Sequence, residues 1–210
     1  MTGVIDYGVG NLFSLMSSLK AVGEQAELSS DPSVLRACDR IILPGVGAFR
    51  AAMDKLKEKK LDAFVKDYAA TGKSVMGICL GMQLLFDKSY EFGVTDGLGL
   101  IRGEGLPLED ARKDVKRFVP QKHEDKVPHM GWNSLNLVKT DNNGLGLKQG
   151  DFVYYVHSFY APKGEYTVAY SDYGVPVTGV AAAGNVIGCQ FHPEKSGNVG
   201  LKILKAFCTL

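Results

Sequence analysis

At 210 residues with 45% hydrophobic content, the chain is long enough to bury roughly 70% of its unfolded surface around one α/β core, so no second domain is needed. Twenty-four Lys and Arg against 23 Asp and Glu leave a net charge of +1, which gives no electrostatic reason to expect nucleic acid or an anionic membrane as a partner.

The start, Met1-Thr2-Gly3-Val4-Ile5-Asp6, has neither the basic stretch nor the apolar run of a secretion signal. No later apolar run is long enough to span a bilayer, and a cytoplasmic location is expected. The first half then alternates short apolar runs with helical patterns, the mark of a largely parallel sheet with helices on both faces. Val4-Ile5 opens that sheet, Asn11 is placed to cap a helix from Leu12 to about Val22, and Ala26-Glu27-Leu28 is a second strand ended by the turn before Pro32. Arg40-Ile41-Ile42-Leu43 is a third strand, and the turn Pro44-Gly45-Val46-Gly47-Ala48-Phe49 follows it. Ala48 to Ala70 reads as two helices or one long broken one. Ser74 to Ile78 reads as a buried strand and Met82-Gln83-Leu84-Leu85-Phe86 as the first turns of a helix.

From Gly97 onward, β-rich segments separated by Gly, Pro, Asn and Asp suit an antiparallel extension of the same sheet. Within them, Glu109 to Lys126 holds eleven charged residues in eighteen, six basic and five acidic. It reads as a solvated loop or exposed hairpin, with a partner-facing insert as the alternative. Val186 to Phe191 is a strand that runs straight into His192-Pro193-Glu194, and Val199 to Leu210 is an amphipathic helix. Neither repeats nor low-complexity tracts interrupt the chain, and residues 1–210 read as one domain.

Chemistry concentrates at three points. In Gly77-Ile78-Cys79-Leu80-Gly81 one thiol stands between two glycines where a strand turns sharply into a helix. A tight elbow crowds the residues flanking a nucleophile, so glycine is favoured on both sides. The amides and dipole of the following helix N-terminus favour a thiolate. The same segment also reads as a buried cysteine between packing glycines. A thiol needs a base, and the base an orienting group. In His192-Pro193-Glu194, Pro193 stiffens an extended segment whose residues 192 and 194 share one side; alone, that tripeptide is also compatible with a surface turn. The third point is the Gly45-Val46-Gly47 turn, where glycines let a backbone N–H aim at a developing negative charge, with the amide of Leu80 as the second donor. The remaining cysteines, Cys38, Cys189 and Cys208, have no metal-ligand spacing and read as packing residues. His129 and His157 invite a metal reading, but no carboxylate or cysteine stands at a supporting spacing. Neither a metal nor another cofactor is expected.

With these motifs in place, the chain resembles the class I (triad) glutamine amidotransferases, and the resemblance assigns Cys79, His192 and Glu194 as nucleophile, base and orienting acid. It places the oxyanion turn at Val46 and Gly47 and implies that Gln83, Glu91 and Ser158 hold the glutamine. Within the family, Ile5-Asp6-Tyr7-Gly8-Val9-Gly10-Asn11-Leu12, Pro128-His129-Met130-Gly131-Trp132-Asn133, Tyr155-Val156-His157-Ser158-Phe159 and Gln190-Phe191-His192-Pro193-Glu194-Lys195-Ser196 are similar to the branch of glutaminase subunits of imidazole glycerol phosphate synthases. That branch more often carries tyrosine where this chain has Phe159, so any phenol hydroxyl role there lacks a carrier. The resemblance implies glutamine as substrate and a heterodimer with a (β/α)8-barrel cyclase. The cyclase would take channelled ammonia to make imidazole glycerol phosphate and the purine precursor AICAR in histidine biosynthesis. It also moves Trp132, the only tryptophan and otherwise a core candidate, to the partner interface, together with Lys195, whose plainer reading is a solvated side chain. A glutaminase for another acceptor such as chorismate, a silent regulatory module and a stand-alone cysteine hydrolase are the alternatives that these residues leave open.

Overall fold

The computed structural model describes residues 1–109, 126–138 and 144–210, so all of the charged segment from 110 to 125 lies outside the described residues. The main sheet begins with four strands, β1 (Thr2–Ile5), β2 (Ala26–Ser29), β3 (Arg40–Gly45) and β4 (Ser74–Cys79). They are parallel to one another, and their neighbours run in the order β2-β1-β3-β4. Successive residues of these strands serve opposite faces: Ile5, Leu43 and Val75 join one apolar cluster, and Val4, Ile42 and Met76 the other. That is why the strands read as unbroken apolar runs rather than alternating ones.

Helices α1 (Leu12–Ala21), α2 (Pro32–Arg36), α3 (Phe49–Glu58) and α4 (Leu61–Ala70) fill the first half. Phe49, Leu56, Leu61 and Phe64 of α3 and α4 cover one face of the sheet, while Leu15 and Leu19 of α1 cover the other. The break expected between Ala48 and Ala70 falls at Lys60, which takes a left-handed conformation at φ 56. Asn11 stands at the N-cap of α1 without a side-chain capping bond. The missed helix α2 is capped by Asp31, whose side chain accepts from the Ser33 amide, with proline at the first helical position.

The helix behind the thiol, α5 (Leu80–Leu84), has only five residues, shorter than expected, because Phe86 already belongs to the strand β5 (Phe86–Ser89). Its dipole is that of little more than one turn. The second half also divides more than the sequence suggests. With β6 (Thr95–Asp96), β7 (Ile101–Pro107) and β11 (Phe159–Tyr160), β5 builds a separate four-stranded sheet, and β8 (His129–Ser134) pairs with β10 (Phe152–His157) in a two-stranded ribbon. Among the described residues, β9 (Asn136–Leu137), β12 (Thr167–Asp172) and β13 (Pro176–Ala183) form the antiparallel extension of the main sheet. The last strand, β14 (Val186–Cys189), inserts between β13 and β4 and is parallel to β4. The C-terminal helix α6 (Gly197–Phe207) returns over the α1 face through Ile203, Leu204 and Phe207.

In this order β3, β4 and β14 are adjacent and end together, with Gly45 beside Cys79 and Ile78 beside Cys189. The glycine turn, the thiol and the His192 segment therefore leave the sheet at the same edge, where open α/β sheets place their ligands. The elbow is as tight as its glycines imply. A Cβ on Gly81 would stand 1.8 Å from the Leu43 carbonyl oxygen, and one on Gly77 2.6 Å from the Gly81 oxygen. Both obstacles are backbone atoms of the elbow and of β3, which no rotamer change can move aside. Gly81→Ala is accordingly expected to lower stability by about 3 kcal/mol, the upper end for overpacking, read as a fall in the urea midpoint. A wild-type midpoint would mean that the elbow relaxes more easily than its packing indicates.

Candidate active site

Cys79 ends β4 at φ 55 and ψ −111, a region that a non-glycine residue occupies at a cost of about 1–3 kcal/mol. The neighbouring glycines make the turn possible, and the turn lifts the thiol out of the sheet into a cleft of about 660 Å³. The sulfur is 3.8 Å from the Val156 carbonyl oxygen, and it receives the Gln190 amide at 3.9 Å. His192 also lines the cleft. Its Nδ1 is 2.8 Å from Glu194 Oε1, with the two side chains 2% and 3% exposed. Its Nε2 is buried with no hydrogen-bond partner among the described residues, which leaves that nitrogen free for the reacting atoms.

The proximity of His192 and Glu194 has a different local origin from the extended strand read in the sequence. His192 itself is extended, but Pro193–Lys195 is a 3-10 turn, and the turn folds the carboxylate back under the imidazole. The Ser196 hydroxyl donates to the His192 carbonyl, and the Tyr154 amide donates to that same hydroxyl. The His192 amide donates to the Tyr154 carbonyl. Strand β10 thus holds the base in place. Burial, the largest influence on His192, opposes its charge, but the nearby Cys79 sulfur and the hydrogen-bonded Glu194 carboxylate outweigh it and raise the imidazole from 6.5 to about 9. At neutral pH the ring carries a proton.

Val46, Gly47 and Leu80 line the same cleft, as do Gln83, Glu91 and Ser158. Gly47 lies at φ 95 with open space on its Cβ side. Tyr7 fastens the strand before it, donating its hydroxyl to the Pro44 carbonyl at 2.8 Å. Burial, with the field of Cys79 added, pushes the Tyr7 phenol up and keeps it a donor. Glu91 caps α3 as well as facing the cleft, its Oε2 accepting the Phe49 amide at 2.7 Å. A carboxylate–imidazole–thiol line beside backbone amides and an open cleft is equipped for acyl transfer from an amide or ester to sulfur.

The class-I glutamine amidotransferase family model matches residues 3–209. The chain belongs to that family. A relative named imidazole glycerol phosphate synthase subunit HisH, from Lactococcus lactis subsp. lactis, is 45% identical over 207 residues, which cover 97% of this chain and 96% of the relative. The subunit of the same name from Wolinella succinogenes is 44% identical over 212 residues and covers 100% of both. Among solved structures, a glutamine amidotransferase superposes with a TM-score of 0.72 at 17% identity, covering 100% of this chain and 99% of the other. PurLQS from Thermotoga maritima gives 0.71 at 20%, covering 99% and 97%. At those identities the solved structures speak for the fold, a class-I amidotransferase fold.

Several residues of this amidotransferase's cleft escaped the sequence reading as contributors. Gln190 is fully buried and bridges Gln83 and the thiol; its place at the end of the strand before the histidine was the available signal. His129 and His157 face each other with Nδ1 2.9 Å from Nε2, a spacing of direct hydrogen bonding with no room for an ion between them. Among the described residues no group of three or more His, Cys, Asp or Glu is arranged to hold a metal, and none of their helices is long and apolar enough to cross a membrane. Trp132 and Lys195 lie outside the cleft lining but share one surface: the indole meets the Tyr154 ring at 6.0 Å, and Lys195 Nζ lies 5.9 Å above it. Trp132 is 55% exposed, beside Met130 at 60%.

Proposed function

We propose that residues 1–210 act as one domain, the glutaminase subunit of an imidazole glycerol phosphate synthase, working in the cytoplasm and passing ammonia through a channel to a (β/α)8-barrel cyclase. The observation that carries this reading is the joint one: a thiol on a strained elbow faces a buried, carboxylate-backed imidazole, in a chain whose full-length relatives bear that enzyme's name. Cys79 is the nucleophile. With its proton held on His192, the sulfur attacks the side-chain carbonyl carbon of glutamine, forming a C–S bond while the carbonyl electrons move to oxygen. The amides of Val46 or Gly47 and of Leu80 receive that oxyanion. Collapse breaks the C–N bond, and the departing nitrogen takes the His192 proton and leaves as ammonia. Water then gives a proton to His192 and attacks the γ-glutamyl thioester. The resulting adduct collapses by breaking the C–S bond, which releases glutamate and leaves Cys79 as the thiolate beside the protonated histidine for the next turn.

Glu194 keeps Nδ1 occupied, which leaves Nε2 as the working nitrogen throughout. Gln83, Glu91 and Ser158 hold the substrate, and no cofactor takes part. Ammonia in water is mostly protonated at neutral pH and lost as a nucleophile, which is the reason for a partner docked over the cleft. The exposed patch of Trp132 and Met130, with Lys195 over the Tyr154 ring that Trp132 meets, supports docking on that side, because tryptophan is a frequent interface anchor.

One titration tests both the partner and the activity. Adding the cyclase with its nucleotide substrate is expected to shift the emission of Trp132, the only indole, and to raise glutamate release. Trp132→Ala should weaken binding by about 2 kcal/mol or more. Unchanged emission together with unchanged affinity would remove Trp132 from the interface. A glutamate rate indifferent to the cyclase would favour a stand-alone hydrolase.

A further inference from the structure

His129 and His157 are cross-strand partners in the β8–β10 ribbon and are almost fully buried, yet no step of the reaction uses them. The direction of their hydrogen bonds follows from the acceptor that His157 faces and from its burial. His157 Nδ1 is 3.0 Å from the Phe159 carbonyl, which only accepts, so Nδ1 carries the hydrogen. Burial, reinforced by His129, lowers His157 to about 3, so the ring is neutral and its Nε2 accepts. His129 Nδ1, 2.9 Å away, must then donate. The His129 ring is held in that orientation between Tyr155 and Tyr173, with centroids at 4.4 and 3.8 Å and both pairs stacked.

The Phe159 carbonyl also receives Gln83 Nε2 at 2.9 Å, and the same Nε2 reaches Gln190 Oε1 at 3.1 Å. Both N–H groups of Gln83 therefore point at acceptors, and turning its amide over would set oxygen against oxygen twice. Gln83 Oε1 is the acceptor left for the cleft that Gln83 lines. Gln190, its oxygen occupied, has only its N–H to offer toward Cys79 Sγ at 3.9 Å. The polarities are fixed outward from the Phe159 carbonyl, through His157 to His129 on one side and through Gln83 and Gln190 to the sulfur on the other.

We propose that the His129–His157 pair is a positioning device for the cleft: it clamps the Phe159 carbonyl, and through that carbonyl sets which face the Gln83 amide presents to the substrate and where the Ser158 turn lies. The pair moves no proton in the reaction. This inference rests on the glutaminase reading of the cleft and adds to it the two residues that make its recognition side rigid.

The test compares His157→Asn, whose side-chain nitrogen can replace the Nδ1 donor, with His157→Phe, which keeps a ring and loses both polar atoms, in the complex with the cyclase. His157→Phe is expected to raise the KM for glutamine about tenfold or more, one lost polar contact, with a smaller change in kcat. His157→Asn should return KM to within about threefold of wild type. Inactivation of Cys79 by iodoacetamide, which needs no glutamine recognition, should stay within about twofold in both, and the alkaline limb set by His192 should not move. Equal KM values for both variants and wild type would overturn the proposal, as would a loss of kcat and thiol reactivity that His157→Asn fails to rescue. If His157→Phe does not fold, Gln83→Met and the double variant Gln83→Met/His157→Asn replace it: a KM effect of Gln83→Met below about threefold overturns the proposal, and a double variant no worse than the single supports it. If the unmutated complex releases no glutamate, it is the glutaminase reading that has failed. The clamp is then read from the Gln83 side-chain amide signals by NMR, which His157→Phe must shift and His157→Asn must largely keep; signals unchanged in both would overturn it.

Discussion

Cys79→Ala is expected to abolish glutamine-dependent synthesis by the complex, a fall of about 10⁴-fold or more, while synthesis from added ammonium salt continues at the wild-type rate. The substitution removes the atom that forms the thioester and leaves the acceptor subunit untouched. The substituted residue would still have to occupy the φ of 55 that Cys79 takes, so the variant keeps the strain of the elbow and should fold as the parent does. Rates with glutamine and with ammonium are measured on the same preparation. Loss of both would mean that Cys79 supports the assembly rather than the chemistry, and retention of both would end its assignment as nucleophile.

His192→Ala should reproduce that pattern with a loss of similar size, since a nucleophile and its base fail as a unit. Glu194→Gln should cost less, because it orients the ring without touching the substrate; no effect at all would break the triad assignment. The pH dependence has a definite sign. The folded-state value of His192 is raised to about 9, so the proton that leaves with ammonia is present below that value and is lost as pH rises through it. In wild type, kcat/KM for glutamine is expected to decline on the alkaline side with a midpoint near about 9. In Glu194→Gln the midpoint should fall, because one of the groups that raise His192 is gone. A limb that stays put in that variant would assign it to some other group.

That Cys79 and His192 line one cleft, with Glu194 bonded behind the imidazole, was legible because each carries a local signal. A thiol between glycines at the end of a buried strand fits a tight elbow or a packed cysteine, and the clash distances at Gly77 and Gly81 are the tertiary expression of the elbow. The order of strand, thiol and short helix likewise follows from apolar runs and turn residues. Three features were misread for identifiable reasons. Met82 to Phe86 is one apolar run, in which periodicity alone cannot separate a short helix from the strand that succeeds it. The spacing of His192 and Glu194 fits a strand or a 3-10 turn equally well, and the anchoring of Ser196 on Tyr154 selects the turn. In Ser29-Ser30-Asp31-Pro32 the turn before Pro32 is also a helix start, with Asp31 as N-cap and proline at the first helical position.

By itself the sequence determined the parallel α/β core and singled out the glycine-flanked Cys79 and the His192-Pro193-Glu194 segment as candidates, because helix and strand periods, glycine requirements and proline stiffness act over a few residues. The tertiary structure alone decided that β14 inserts beside β4 and brings the ends of three strands to one edge. It decided too that the second half splits among three separate sheets, and that His129, His157, Phe159, Gln83 and Gln190 form one directed chain. Those contacts join residues separated by 28, 76 and 107 positions. Register between distant strands is chosen by the packing of the whole core and by the satisfaction of buried polar groups, and no local period encodes it.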